Sequence, residues 1–209
     1  MIGRLIDMFL HLDVSLGAAI NRYGGWVYLL LFLIIFCETG LVVTPFLPGD
    51  SLLFAAGMFA AAGSLDIKIL LPLLCASAIT GNMLNYQIGY FAGPKVFHSE
   101  RPLLNRKHLE ETHRFYEKYG PMTIVIARFM PIIRTFAPFL AGVGRMGYVR
   151  FSMYNAAGSI AWVALFSLGG FFFGNVPIVK KNFTAVIMGI IVVSVVPSII
   201  AFFRRKAKS

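Results

Sequence analysis

The apolar positions of this chain fall into long runs, broken at a few places by charges, prolines and glycines. Over Met1 to Asn21, Ile2, Leu5, Phe9, Leu12, Leu16 and Ile20 recur at alternating threes and fours, with Arg4, Asp7, His11, Asp13 and Ser15 off that stripe. The spacing predicts an amphipathic helix, lying in a membrane interface or packed on a bundle. Tyr23-Gly24-Gly25 ends it, and Trp26 and Tyr28 follow as aromatic anchors. Gly25 to Val43 is apolar except for Glu38 near its far end. At roughly 20 residues it is expected to span a bilayer. Pro45 and Pro48 forbid a continuous helix, because each lacks a backbone donor and disfavours helical geometry in the preceding residue. Gly49-Asp50-Ser51 opens the apolar run Leu52 to Ala62, which is too short to span and reads as the returning arm of a re-entrant hairpin, with Asp50 or Ser51 as N-cap. Gly63-Ser64 is a turn, and Ile67 to Gly93 is the next span, interrupted at Gly81-Asn82.

Pro94 to Gly120 is the one long polar segment. Within it Leu104 to Tyr119 predicts a second surface helix, with Glu110 pairing to Arg114. Pro121 to Gly144 is apolar again but holds Arg128 and Arg134, with expected breaks at Pro131 and Pro138. Val149 to Gly174 is a full span containing Asn155, Gly158 and Trp162. Asn182 to Phe203 is the last, closed by Arg204-Arg205-Lys206 and Lys208.

Composition agrees with this pattern. Of 209 residues, 58% are hydrophobic and 13% charged, and the mean hydropathy is +0.76, far from a soluble domain with about 25% charged residues. The net charge of +10 sits in short clusters beside apolar segments, which points to membrane orientation and away from nucleic acid. Cys37 and Cys75 lie inside apolar runs and act as small hydrophobes. The first twenty residues lack an uninterrupted apolar core, so no signal peptide is expected there.

The two halves repeat one order: surface helix, Tyr-Gly (Tyr23-Gly24 and Tyr119-Gly120), a Pro-broken charged segment, Ala-Gly (Ala56-Gly57 and Ala141-Gly142), then a span. Lysine and arginine place 94–120, Arg145 to Arg150 and the tail on the cytoplasmic side, with Lys180-Lys181 as the exception. Pro121 to Gly144 must then enter and leave from that side, as a hairpin. With a cytoplasmic amino terminus as well, the first hairpin dips in from outside and the two face each other. The fold expected is an all-α integral membrane protein: an inverted-repeat bundle with two facing re-entrant hairpins, about four spanning helices and two amphipathic surface helices. It forms one membrane domain, with a first repeat over 1–93, a second over 94–174 that includes the 94–120 loop, and a final span and basic tail over 175–209.

Charges at membrane depth are costly and mark function by default. Glu38 and Asp50 from the first hairpin oppose Arg128 and Arg134 from the second. A guanidinium stays protonated and offers a planar fork suited to phosphate, so Arg128 and Arg134 are candidate phosphate ligands. A poorly solvated carboxylate binds and releases protons, which makes Glu38 and Asp50 candidates for proton coupling. The bland alternative is a pair of buried bridges that only hold the hairpins together. Pro45, Pro48, Gly49, Ser51, Pro131, Thr135 and Pro138 support the hairpins, and half-helix amino ends beside Asp50 and Arg134 add backbone donors for an anion. Asn82, Asn85 and Asn155 either bond a neighbouring helix or line a pathway. Pro48-Gly49-Asp50 is a partial match to the G-x-G-D of intramembrane aspartyl proteases, but no second aspartate forms a dyad. His98, His108 and His113 lie in the polar loop, no H-E-x-x-H occurs, and no metal or cofactor is expected. Gly170-x-x-x-Gly174 permits close helix approach, within the chain or in a homodimer.

Glu38, P-F-L-P-G-D-S-L-L-F (Pro45 to Phe54), N-Y-x-I-G (Asn85 to Gly89), F-Y-E-K-Y-G (Phe115 to Gly120) and A-R-F-M-P-I-I-R-T-F-A-P-F-L-A-G (Ala127 to Gly142) together resemble the DedA family of membrane proteins, over essentially the whole chain. The resemblance implies a bacterial inner-membrane protein with two re-entrant hairpins that returns undecaprenyl phosphate, a lipid carrier of cell-wall synthesis, to the cytoplasmic leaflet. It implies essential acids at Glu38 and Asp50, linked to protons, and essential bases at Arg128 and Arg134. One departure is Asn82, where some relatives carry an acid. The expected function is therefore lipid-phosphate transport without enzymatic chemistry. The alternatives are a structural membrane protein acting indirectly on the envelope and a membrane enzyme processing lipid phosphates, which no histidine in a span supports.

Overall fold

The computed structural model describes residues 12–41, 49–92, 113–114, 116–174, 176–177 and 189. The described residues are helical with no strand. The amphipathic start is α1, Leu12–Tyr23, and the first apolar run is α2, Trp26–Gly40. Gly24 closes α1 with φ +52°, a left-handed position that glycine takes without penalty. The expected Gly25 to Val43 span appears as 15 helical residues, about 22 Å at 1.5 Å per residue, shorter than a hydrocarbon core of about 30 Å. Pro45 and Pro48, on which the expected break rests, lie outside the described residues.

The returning arm is α3, Gly49–Ala61. Asp50 and Ser51 stand inside its first turn, so neither is the N-cap the sequence suggested; the helix already includes Gly49 ahead of them. Gly63, at φ +81°, closes α3: Ser64 N–H reaches Phe59 O at 2.9 Å and Gly63 N–H reaches Ala60 O at 3.1 Å, the two bonds of a Schellman motif. The next helix, α4, runs Ile67–Ala92. Its cap is Asp66, whose Oδ1 accepts from Lys68 N–H at 2.8 Å while its own N–H donates to Tyr28 Oη at 2.6 Å.

Gly81-Asn82 does not interrupt α4. A lone glycine inside a helix costs about 1 kcal/mol, and here it permits contact: a Cβ at Gly81 would run into Thr39 Oγ1 and approach Gly40 N to 3.2 Å. After the polar loop, of which 93–112 lie outside the described residues together with Glu110, His98 and His108, residues 116–119 are helical. A 3₁₀ turn Gly120–Met122, a helical turn α5 Thr123–Ile126 and a second 3₁₀ turn Ala127–Phe129 follow. Met130 is extended (φ −125°, ψ 103°), as expected before proline, and Pro131 opens α6, Pro131–Val143. Pro131 thus breaks the chain as the sequence predicted, but Pro138 does not. It sits inside α6, where Asn85 of α4 donates to Thr135 O at 2.9 Å beside the turn that Pro138 opens. The last described helix, α7, is Tyr148–Phe173. The Asn182 to Phe203 span lies outside the described residues.

Among the described residues α4 and α7 are long and apolar enough to cross a membrane. Both carry exposed apolar side chains, such as Ile69 and Phe91 on α4 and Val149, Leu165 and Phe172 on α7. An apolar surface of this kind on a long helix suits lipid better than water.

The chain divides into two compact units, one of Met1–Leu33, Pro48–Leu74 and Val163–Ser209, the other of Ile34–Leu47 and Cys75–Trp162. Helices α2, α4 and α7 contribute residues to both. In the first unit α3 is buried nearly all round, and Gly17 of α1 lies against the Phe59 ring. The end of α7 meets α3 backbone to backbone: a Cβ at Gly170 would strike Phe54 O, and one at Gly57 would strike Ser167 O. The Gly170-x-x-x-Gly174 face is therefore used within the chain, against Phe54 and Met58. In the second unit Tyr86 stacks on Phe151 at 4.4 Å between centroids and donates to Met146 O, and Tyr116 Oη donates to Ala137 O at 2.8 Å. Burial raises the pKa of the Tyr116 phenol, which keeps that donor protonated. Here too α4 and α6 touch through glycine, Gly89 on Phe139 and Gly142 on Tyr86.

The α3–α7 contact sets a stability test. Gly170→Ala is expected to lower unfolding stability in detergent by about 1–3 kcal/mol, the cost of overpacking. Gly169→Ala, whose Cβ would meet only the Phe54 ring at 3.9 Å, should leave it unchanged or raise it by up to about 1 kcal/mol, the gain in helix propensity. Equal effects of the two would refute the contact.

Candidate functional site: a buried arginine pair

The break at Met130 decides where the two arginines go. Arg128 lies on the 3₁₀ turn before it and Arg134 on the first turn of α6 after it, and both are buried, at 4% and 9% exposure. A continuous helix would have placed residues six apart on different faces, with a full turn between them. The extended residue instead folds the two turns against each other, with Ala127, Ile133 and Ala137 packed together under Met130 and Tyr116.

The arginines have unlike surroundings. Arg134 forms an ion pair with Glu38 of α2, whose side chain is wholly buried. Arg128 has neutral neighbours. Its Nη2 donates to Asn155 Oδ1 at 2.7 Å and to Ser159 Oγ at 2.5 Å, both on α7. Asn82 of α4, in the amide orientation that gives each of its atoms a complementary partner, accepts from the same Nη2 at 2.6 Å and donates to Thr39 O at 3.2 Å. Three side-chain oxygens thus crowd a nitrogen with two hydrogens, while the buried Nε has no hydrogen-bond partner. Among the described residues no carboxylate lies within salt-bridge distance of Arg128. Glu38, Arg128 and Arg134 together carry one negative and two positive charges, a net +1 held away from water.

The asparagines anticipated as helix partners or pathway residues are all in this cluster. Asn85, fully buried, donates to Thr39 O at 3.1 Å and to Thr135 O at 2.9 Å, tying the end of α2 to α6. Asn82 and Asn85 thereby satisfy a carbonyl in the last turn of α2, where helical partners run out. Asn155 Nδ2 donates to Ile79 O at 3.0 Å. Thr135 is buried and joins through its backbone. Asp50 and Ser51 belong to the first unit, where both are buried in the first turn of α3.

Sequence reasoning missed Ser159 and Trp162. Each guanidinium lies over the Trp162 indole, Arg134 at 5.3 Å and Arg128 at 6.0 Å from the ring centroid. Their spacing from Asn155, four and seven residues on, was the available signal: in a helix it sets all three on one face. Cys37 and Cys75 are not joined in a disulfide, and among the described residues no cluster of His, Cys, Asp or Glu is arranged to hold a metal.

Long apolar helices around a buried ion cluster fit a membrane protein, in which charge at depth is rare. Residues 47–172 match the VTT domain family. The chain is 51% identical over 205 residues to Protein DedA of Escherichia coli (strain K12), covering 97% of this chain and 94% of that one. It is 41% identical over 185 residues to an uncharacterized membrane protein of Mycobacterium tuberculosis (strain ATCC 25618 / H37Rv), covering 87% and 81%, and 30% identical over 158 residues to Inner membrane protein YqjA of Escherichia coli (strain K12), covering 75% and 72%. No solved structure matches. The chain belongs to the DedA family of membrane proteins, whose common unit is the VTT domain.

Removing one partner of a buried ion pair leaves the other uncompensated and costs about 3 kcal/mol or more. Glu38→Gln is accordingly expected to lower stability by about that amount in denaturant unfolding from mixed micelles. The double change Glu38→Gln with Arg134→Met should recover more than half. A double variant as unstable as the sum of the singles would show that the pair is not coupled.

Proposed function

We propose that the protein is a transporter that moves a lipid phosphate, undecaprenyl phosphate or a related polyprenyl phosphate, across the bacterial inner membrane so that the carrier is used again. The observation that carries this reading is Arg128: a buried guanidinium whose side-chain hydrogen-bond partners are neutral and whose buried Nε has no hydrogen-bond partner, next to a second arginine. Burying an uncompensated charge is expensive, and an arriving anion offsets that cost while meeting a fork suited to phosphate oxygens. Arg128 and Arg134 bind the phosphate, and the prenyl chain stays in lipid.

Charge counting brings in the proton. A cluster of net +1 that takes a phosphate dianion becomes −1, and the balance returns to neutral when Glu38 takes up a proton. Glu38 thus governs release, with Asp50 as the second coupling acid. The segments 121–144 and 45–62 enter as re-entrant hairpins, both termini lie in the cytoplasm, and the protein acts as a transporter without covalent chemistry. The family relationship supports this reading, as does the name of the YqjA relative, which places that protein in the inner membrane. The Glu38–Arg134 bridge taken by itself favours a structural role for that pair.

The deciding experiment is leaflet-resolved movement of undecaprenyl phosphate in liposomes holding the purified protein. Arg128→Met is expected to reduce the initial rate by at least about 100-fold, the cost of losing a charge-assisted contact to phosphate. An Arg128→Met protein that folds and transports normally would sink the mechanism. A second arm imposes a pH gradient: the wild-type rate should respond to it, and Glu38→Gln should transport without responding. A wild-type rate indifferent to the gradient removes the proton from the scheme.

A further inference from the structure

In the second unit, the end of α4 and the start of α7 meet beside a cavity that the charge cluster does not use. Tyr86 of α4 lies 5.8 Å, ring to ring, from Tyr148, the first residue of α7, so this end of the two long helices stands at one boundary of the membrane. Exposed Tyr90, Phe91 and Tyr148 suit the headgroup level there. The cavity, of about 390 Å³, lies between the end of α6 and residues 113–121, and His113, Tyr116, Gly120, Leu140, Gly144 and Met146 are among its lining. Ligand sites of about 300–1,000 Å³ are usual. Its walls are mostly apolar, and the Tyr116 hydroxyl is already committed to Ala137 O at 2.8 Å. An exposed guanidinium stands at the edge in a conformation that side chains rarely adopt. Arg145, between the lining residues Gly144 and Met146, has φ +51°, and among the described residues it is the one non-glycine with positive φ. Its N–H reaches Gly142 O and the Met146 N–H reaches Ala141 O, both at 2.9 Å, the Schellman pair that closes α6. At the same place after α3 the chain has Gly63, which takes that conformation without penalty. Arg145 is thus kept against the local backbone preference, and such an outlier points to a use for its side chain. Its guanidinium lies 5.7 Å from the centroid of the exposed Tyr90 ring. Arg114 and Lys118 are exposed on the opposite wall, where Glu117 lies 3.4 Å from His113 Nδ1.

We propose that this cavity is a binding site for an anionic phospholipid of the surrounding bilayer, with part of one acyl chain against Leu140 and Met146 and the headgroup at Arg145. The pattern of charge selects that occupant. An apolar wall takes a hydrocarbon chain, and cations at the rim favour a lipid of net negative charge over a zwitterion, whose ammonium they repel. A water-soluble phosphate has no chain to place against the wall. The inference is independent of the transport reading, because neither Arg128 nor Arg134 lines this cavity.

The test uses the full chain in detergent micelles, titrated with dioleoylphosphatidylglycerol or dioleoylphosphatidylcholine, with bound lipid counted by native mass spectrometry. Wild-type protein is expected to half-saturate with phosphatidylglycerol at a mole fraction about 5-fold lower than with phosphatidylcholine, the effect of one interfacial cation. Arg145→Gly should lose that preference while its Tm without lipid stays the same or rises, since glycine suits the left-handed position. A lower Tm in that variant assigns Arg145 to holding α6 in place and overturns its role at the headgroup. Lys68→Gln removes an exposed cation at the other end of α4 and should keep the preference; an equal loss there traces the preference to overall charge and overturns the site. Val143→Trp fills the cavity with Arg145 intact and should weaken phosphatidylglycerol binding. Normal binding by that variant overturns the acyl seat. Glycerol phosphate that competes as well as phosphatidylglycerol makes this a site for free phosphate, and farnesyl phosphate that displaces it at equal mole fraction makes it a station for the transported lipid; either result overturns the proposal. So does wild-type protein with no saturable binding of either phospholipid.

Discussion

A charge taken out of water has to be compensated where it is placed, and in this protein two guanidiniums are taken out of water side by side. Much of the second unit follows from that constraint. Helix α2 contributes the Glu38 carboxylate, α4 the Asn82 amide, and α7 an amide, a hydroxyl and an indole on one face. The chain break at Met130 brings the two cations together in the first place. The compensation is uneven: Arg134 has a full opposite charge, and among the described residues Arg128 has dipoles and the Trp162 ring. Dipoles orient a guanidinium and satisfy its hydrogens, but they leave its net charge in place.

That unevenness sets the cluster apart from a pair of matched bridges. Had both arginines faced carboxylates, the cluster would resemble the buried bridges that set geometry and add little else. Neutral partners instead leave the charge of Arg128 in place inside the protein. Other residues at the cluster hold the helices together, such as Asn85 between Thr39 and Thr135.

Much of this was legible in the sequence because burial of charge leaves a conspicuous trace. Glu38, Arg128 and Arg134 stand out in apolar runs, and the Asn155 amide does so more faintly; all four meet in the folded chain. Pro131 and Pro138 show where reading by residue type fails. The same residue breaks the chain at the head of a helix and is absorbed in its interior, and residue type alone does not tell the two places apart. Gly81 is a similar case, read as an interruption where it is a contact surface. Trp162 was invisible for another reason: a tryptophan in an apolar span reads as lipid-facing or core, and only its partners give it electrostatic meaning.

The glycine contacts carry a mechanical consequence. Where Gly89 meets Phe139 and Gly142 meets Tyr86, α4 and α6 touch along their backbones, without long side chains interdigitated between them. Interlocked ridges and grooves resist translation, because each step along the axis lifts one helix over the other. Here the register is fixed by fit instead: Phe139 O occupies the space that a Cβ at Gly89 would take and Tyr86 O that of one at Gly142, so a shift along the axis would bring these carbonyls against residues that carry a Cβ. Arg134 rides on α6 and Asn82 on α4, so the same fit, with the Asn85 bond to Thr135 O, keeps the groups that the two helices bring to the charged cluster in one register.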